Sequence, residues 1–243
     1  MSTAARLLGL LDLTRLERPD DPEQIDALVD RAVTPAGAVA PVCRYPEWLG
    51  RAVEPLAGTG VRIAAVANFP AGDDDAGAAA AEAEAAVRDG AGEVDVVVPW
   101  RAHLAGDGEA IGRVVRACRD AIGPGVALKA ILEVGSLGDG ATVIDASARA
   151  LAAGADFLKT STGKVGPGAN LVAARAMLEA IRDAGHGGFK ASGGVRTTAH
   201  ALPYLELAER MLGPDWVTAA TFRIGASSLL DDLLAQIPEG RAP

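Results

Sequence analysis

Strand-like and helix-like segments alternate along this chain with a regular period, and that alternation narrows the possible folds more than any other feature. Candidate strands are Leu8–Leu13, Val39–Cys43, Val61–Ala67, Glu93–Val98, Val126–Glu133, Asp156–Lys159, Gly188–Ala191 and Phe222–Gly225. They recur roughly every thirty residues, the length of one strand-plus-helix unit. Between them lie amphipathic patterns. Ile25, Leu28, Val29, Ala32 and Val33 share one helical face, and so do Ile111, Val114, Val115, Cys118 and Ile122. Leu171, Ala174, Met177, Leu178 and Ile181 repeat the pattern, as do Leu229, Leu230, Leu233, Leu234 and Ile237. Residues Gly77 to Ala86 read as an alanine-rich helix. Segments such as Val94-Asp95-Val96-Val97-Val98 are nearly continuous apolar runs, as a parallel sheet covered by helices requires. Gly90-Ala91 and Gly154-Ala155 mark helix ends just before strands, where glycine supplies a left-handed cap. Eight units predict one (β/α)₈ TIM barrel domain over residues 1–243. A doubly wound open sheet is the alternative, weakened because no GxGxxG turn follows the first strand.

Composition removes several function classes. The 243 residues carry a net charge of −9 and no Lys/Arg-rich run, which argues against nucleic-acid binding. Cys43 and Cys118 stand far apart and form neither a disulfide framework nor a metal-ligand cluster, and Cys118 reads as a small core hydrophobe. The first residues lack a signal-peptide pattern, since Asp12 and Arg15 interrupt any apolar core, and no run approaches a membrane span. A soluble cytoplasmic protein is expected.

In a barrel of this kind, chemistry sits where strands end at their carboxyl termini. The first strand ends in Asp12-Leu13-Thr14, the second in Cys43-Arg44-Tyr45-Pro46 and the third in Asn68-Phe69-Pro70. Asp95 lies within the fourth and Lys129 within the fifth. Lys159 ends the sixth, Lys190 the seventh and Gly225-Ala226-Ser227-Ser228 the eighth. Several have plain structural readings. Asp12 and Thr14 suit a turn, Cys43 a packed small residue, and Asn68-Phe69-Pro70 a turn. Glu133 could pair with Lys129 across the strand end, and His103, His186 and His200 read as surface residues. Asp95, Lys129, Lys159 and Lys190 resist that treatment as a group. Each would bear a desolvation cost at an apolar strand position, and salt bridging explains only some of them. Lys159 and Lys190 on neighbouring strands would depress one another's pKa, leaving one amine neutral and nucleophilic near pH 7. Asp95 would then serve proton transfer.

An acidic protein that binds an anion needs a dedicated cradle. Gly193-Gly194-Val195-Arg196 follows the seventh strand and Gly225-Ala226-Ser227-Ser228 opens the last helix. Loops after strands seven and eight are the usual barrel phosphate site, with backbone N–H groups turned toward the anion. Taken singly, each is equally a glycine-rich turn; together, in those two loops, they favour phosphate.

These segments resemble the deoxyribose-phosphate aldolase family of metal-independent class I aldolases. The resemblance runs through nearly the whole chain and is most specific in Gly154–Lys164 (GADFLKTSTGK), Phe189–Thr197 (FKASGGVRT), Glu93–Arg101 (EVDVVVPWR) and Arg223–Leu230 (RIGASSLL). It implies Lys159 as the Schiff-base lysine, Lys190 as the lysine that tunes it and Asp95 as the acid/base carboxylate. It also implies a phosphate set of Gly163, Lys164, Gly193, Gly194, Gly225, Ser227 and Ser228. A substrate pocket lined by Asp12, Thr14, Cys43, Lys129 and Thr162 follows from it as well. The implied reaction is reversible cleavage of 2-deoxy-D-ribose 5-phosphate to D-glyceraldehyde 3-phosphate and acetaldehyde, within deoxyribonucleotide breakdown. No cofactor or metal is implied, because an iminium does the polarising. The family often forms homodimers, although nothing in this sequence fixes an interface. Some members end in a tyrosine proposed to assist proton transfer, whereas this chain ends Pro238-Glu239-Gly240-Arg241-Ala242-Pro243. Two other readings stay open: a related Schiff-base barrel for another phosphorylated aldehyde or a 2-keto acid donor, and a sugar-phosphate-binding barrel without turnover.

Overall fold

Eight strands, each parallel to its neighbours, close into a barrel in the computed structural model, which describes residues 2–238. The terminal positions where a tyrosine stands in some relatives lie outside those residues. In chain order the strands are β1 (Leu11–Thr14), β2 (Pro41–Arg44), β3 (Arg62–Ala67), β4 (Glu93–Val97), β5 (Ala127–Ile131), β6 (Phe157–Lys159), β7 (Gly188–Ser192) and β8 (Phe222–Ala226). β8 pairs back onto β1 through Leu11 opposite Ile224 and Asp12 opposite Gly225, which closes the ring. Helices fill the connections, and the whole is a (β/α)₈ TIM barrel.

Helix starts follow from the sequence. Asp75, Asp139, Asn170 and Thr197 each accept a hydrogen bond from the backbone N–H three residues on, at the starts of Ala76–Arg88, Gly140–Ala152, Leu171–Ala184 and Thr198–Leu212. Gly90 (φ 106°) and Gly154 (φ 100°) do occupy the positive-φ turn before β4 and β6. A side chain at residue 154 would also press on Arg119.

Some boundaries differ from the sequence expectation. Residues Thr3–Leu8 form a helix capped by Ser2, so β1 begins at Leu11 rather than Leu8. The helix carrying Ile25 ends at Asp30, and Val33 sits exposed in a two-residue hairpin with Gly37–Ala38. Leu171 is exposed at the first position of its helix, so that buried face starts later, at Ala173 and Ala174. β5 stops at Ile131, and Glu133 turns the chain in a left-handed conformation (φ 57°).

The seemingly continuous apolar strands conceal an alternation. Val94, Val96, Leu128, Ala130, Leu158, Phe189, Ala191, Phe222 and Ile224 face the helices and join the main apolar core. Their neighbours in sequence point to the barrel axis, as a period of two demands. On β2 and β3 the inward residues Cys43, Ala64 and Val66 form a small apolar cluster with Leu16 and Tyr45. On β4 to β8 and on β1 the inward face of each strand carries at least one charged residue.

Candidate active site

Strand register brings those charges together. Asp95 lies opposite Lys129, Lys159 opposite Lys190, and Lys190 opposite Arg223. Glu93 and Asp95 share the inner face of β4 because they are two residues apart. All are buried, with Lys159 at 2% exposure and Asp12, Glu93, Asp95, Lys129 and Lys190 at 0%. Lys159 Nζ donates to Asp95 Oδ2 at 2.8 Å, and Lys190 Nζ reaches the same oxygen at 2.7 Å. Lys129 Nζ lies 2.7 Å from Asp95 Oδ1 and 2.5 Å from Glu93 Oε2. Lys190 also holds Asp12 Oδ2 at 2.5 Å. Arg223 completes a ring, donating to Asp12 Oδ1 at 2.9 Å and to Glu93 Oε1 at 3.2 Å.

The partners are shared unequally. Lys129, Lys190 and Arg223 each touch two carboxylates, whereas Lys159 touches one oxygen that it shares with Lys190. Four cations face three carboxylates, so full ionisation would strand one positive charge in a dry interior, which is costly. Releasing the proton of one lysine balances the ring, and Lys159 is the least compensated. Burial lowers the Lys159 amine below its ordinary value despite Asp95, and the Lys190 charge adds to the lowering. At Lys190 burial acts the same way, but Asp12 and Asp95 outweigh it and the amine stays well above its ordinary value. Lys129 is likewise raised against its burial by Asp95 and Glu93. Burial works against ionised Asp95, yet the three lysines hold it well below the usual carboxylate range. Mutual depression of the two lysines is therefore not what the structure contains: only Lys159 is lowered, chiefly by burial.

Above the ring opens a cavity of about 230 Å³ lined by residues of the loops after β1, β6, β7 and β8. Among the site residues expected from sequence, Thr14, Lys159, Thr162, Gly163, Lys164, Gly193, Gly194, Gly225 and Ser227 line it. Asp12, Cys43, Asp95, Lys129 and Lys190 lie deeper, with Cys43 Sγ 4.0 Å from Asp95 Oδ2 and its thiol raised by burial. Ser228 is outside the lining, its hydroxyl 3.5 Å from the carbonyl of Arg196. The loops after β6 and β7 are tied by Thr160 Oγ1 to the Ser192 carbonyl (2.8 Å) and by Ser192 Oγ to the Ser161 carbonyl (2.6 Å). Gly193 (φ 89°) packs against Gly168, where a side chain at residue 168 would strike the Gly193 carbonyl. Gly225 is explained by its neighbour: a Cβ there would lie 2.9 Å from Lys190 Cε, so its small size makes room for the lysine stem. The last helix, Leu229–Leu234, has six residues. Lys164 and its partner Glu17 (3.2 Å) both border the cavity.

Two participants escaped the sequence reading as individual residues. Glu93 and Arg223 stood within informative motifs, but nothing local marked them as partners of one ring; the inward alternation on β4 and β8 is the signal that could have. Glu133 does not pair with Lys129. Its Oε2 accepts from the Thr162 hydroxyl (2.6 Å) and backbone N–H (3.2 Å), while Thr162 Oγ1 accepts from the Lys164 N–H (3.0 Å). Burial raises the Glu133 carboxyl. His103 is not a surface residue: its ring is 7% exposed and lies 3.6 Å from Asp145.

Known proteins resemble this chain over nearly its whole length. Residues 6–234 match the model of the DeoC/LacD family aldolases. A deoxyribose-phosphate aldolase of Agrobacterium fabrum is 46% identical over 239 residues, covering 98% of this chain and 92% of that protein. A solved chain from Coccidioides immitis, provisionally assigned as a deoxyribose-phosphate aldolase, superposes with a TM-score of 0.83 at 29% identity over 97% of this chain and 87% of its own. A tetrameric deoxyribose phosphate aldolase from Aeropyrum pernix gives 0.78 at 28% identity, over 96% and 92%. This chain belongs to the DeoC/LacD aldolase family.

Proposed function

We infer that this chain is a deoxyribose-phosphate aldolase, a lyase that reversibly cleaves 2-deoxy-D-ribose 5-phosphate to D-glyceraldehyde 3-phosphate and acetaldehyde through a lysine Schiff base. The observation that carries the reading is that Lys159 alone among the buried lysines borders the cavity and alone has a lowered pKa. A neutral amine attacks the C1 aldehyde, loss of water gives an imine, and its protonation gives the iminium. The C3 hydroxyl loses its proton, the C2–C3 bond breaks, and its electrons pass to the iminium to form an enamine. Protonation at C2 and hydrolysis then release acetaldehyde and restore Lys159.

Asp95 lies 2.8 Å from the nitrogen that becomes the iminium, so its carboxylate faces the positive charge that the reaction creates. Held so far below its ordinary pKa, it is a weak base that takes the C3 proton only transiently, through water, and returns it at C2, with Lys190 as a charged partner. The phosphate is held at the other end of the cavity by the loops bearing Gly163, Gly193, Gly194 and Ser227, with Lys164 supplying the charge. Ser228 contributes through its loop rather than its hydroxyl, and Gly225 serves Lys190. Deoxyribonucleotide breakdown in the cytoplasm is the setting this activity suits. Assembly into homo-oligomers fits the tetrameric Aeropyrum relative. A coupled assay for glyceraldehyde 3-phosphate release tests the reading. Release from 2-deoxyribose 5-phosphate that K159A abolishes supports it; no release, or full activity in K159A, contradicts it.

A further inference from the structure

Arg223 lies at the cavity's blind side: it does not border the cavity and touches neither Lys159 nor Asp95, yet it engages two of the ring's three carboxylates. Its Nε is satisfied by the Ala219 carbonyl, and its guanidinium stands 5.7 Å from the Phe157 ring centre, so the group is fixed on several sides. The fork geometry of a guanidinium lets one residue hold both Asp12 and Glu93. Without that hold, Asp12 would turn wholly to Lys190 and Glu93 wholly to Lys129. Those two lysines would then need less of Asp95.

We propose that Arg223 is a positioning residue for the aldolase chemistry, which keeps Lys159 short of a counter-ion by occupying carboxylate oxygens the three lysines would otherwise share. The inference rests on Lys159 being the nucleophile, as proposed above. The groups facing Lys159 are Asp95, Lys190 and Cys43, with Lys129 beyond Asp95 and Glu133 above. Among the described residues, the groups facing Arg223 are Asp12 and Glu93, with Lys190 opposite it on β7 and sharing Asp12, and Glu93 has a further, solvent-exposed neighbour in Arg62 at 3.7 Å. With Arg223 the ring has one cation in excess. Neutralising residue 223 leaves three lysines against three carboxylates, and Lys159 can then hold its proton.

The test is the acidic limb of kcat/KM for cleavage of 2-deoxyribose 5-phosphate, measured in the native protein, R223Q, R223K and R223Q/E93Q. In R223Q the limb moves to higher pH by about one unit, the size of a shift that a freed opposite charge produces. R223K keeps the cation, and R223Q/E93Q restores the excess by removing one charge of each sign, so both return the limb toward the native position. A purely structural Arg223 gives instead a loss at every pH with the limb fixed, which overturns the proposal. Should R223Q fail to fold, E93Q and R223Q/E93Q differ only in the charge at residue 223. The limb must then lie lower in E93Q, and equal limbs overturn the proposal. Activity with an immobile limb defeats this inference alone; a native protein without cleavage activity defeats the reading of the site and this inference with it.

Discussion

Replacing Gly225 with alanine separates the phosphate role that the sequence suggests for this residue from the room it leaves for Lys190 in the structure. A Cβ at this position lies 2.9 Å from Lys190 Cε and 3.1 Å from Ser192 Cβ. Carbon atoms settle at about 3.5–4.0 Å, so the lysine stem has to retreat by roughly 0.6–1 Å. It has no free space for this, because Lys190 is fully buried and its amine holds Asp12 at 2.5 Å and Asp95 at 2.7 Å. A displacement of that size stretches the Asp95 contact past good hydrogen-bond length and brings the Asp12 contact to its limit or beyond. Overpacking of this kind costs about 1–3 kcal/mol, and at about 2–4 °C per kcal/mol for a chain of this size the melting temperature falls measurably. The catalytic loss is set by the misplaced amine, and a shift near 1 Å costs up to about a hundredfold in rate. We therefore expect G225A to lower kcat by about ten- to a hundredfold while KM for the phosphorylated substrate changes little. Steady-state kinetics on the folded variant decide the matter. An unchanged kcat with a raised KM would show that Gly225 serves the phosphate and that the Lys190 contact is incidental.

Three further outcomes follow from the charge distribution. Lys159 has a folded-state pKa below its unfolded value, so between that lowered value and the unfolded one, about 10.4, the unfolded chain binds the extra proton and stability rises with pH. K159M removes this penalty. It should be more stable than the native protein near neutral pH, with the advantage shrinking as pH rises and gone above about 10.4; a gap independent of pH, read by thermal melts, contradicts the assignment. At the cavity mouth, K164A should raise KM for the phosphorylated substrate by about tenfold, the value of one charge-assisted contact partly screened by water. E17Q, which frees Lys164 from its partner, should lower KM by up to about fivefold, and neither change should affect cleavage of unphosphorylated deoxyribose.

Much of the fold could be read from the sequence because barrel strands and their helices each leave a periodic trace. The eight strands lie within a few residues of their expected places, and the largest shift is at the N-terminus, where the apolar run Leu7-Leu8 belongs to a helix rather than to β1. Lys159, Lys190 and Asp95 stood out because a charge in an apolar strand needs a reason. The partners were harder to see. Glu93 and Arg223 lie 130 residues apart and meet only because their strands both turn these positions inward within a closed ring. Glu133 shows the opposite limit: a local guess paired it with Lys129, four residues away on the same inner face of an idealised strand. The left-handed turn at Glu133 ends that strand geometry and sends the carboxylate to Thr162 instead. Sequence carries the alternation of faces; it does not carry which of several counter-ions a buried lysine will share.

The central claim is that Lys159 is the one amine of the ring free to react. Incubating the native protein with acetaldehyde, reducing with borohydride and mapping the modified peptide by mass spectrometry addresses it directly. The account requires a two-carbon adduct on Lys159, with Lys129, Lys164 and Lys190 unmodified. An adduct on any of those three in place of Lys159, or no adduct in an active protein, would contradict it.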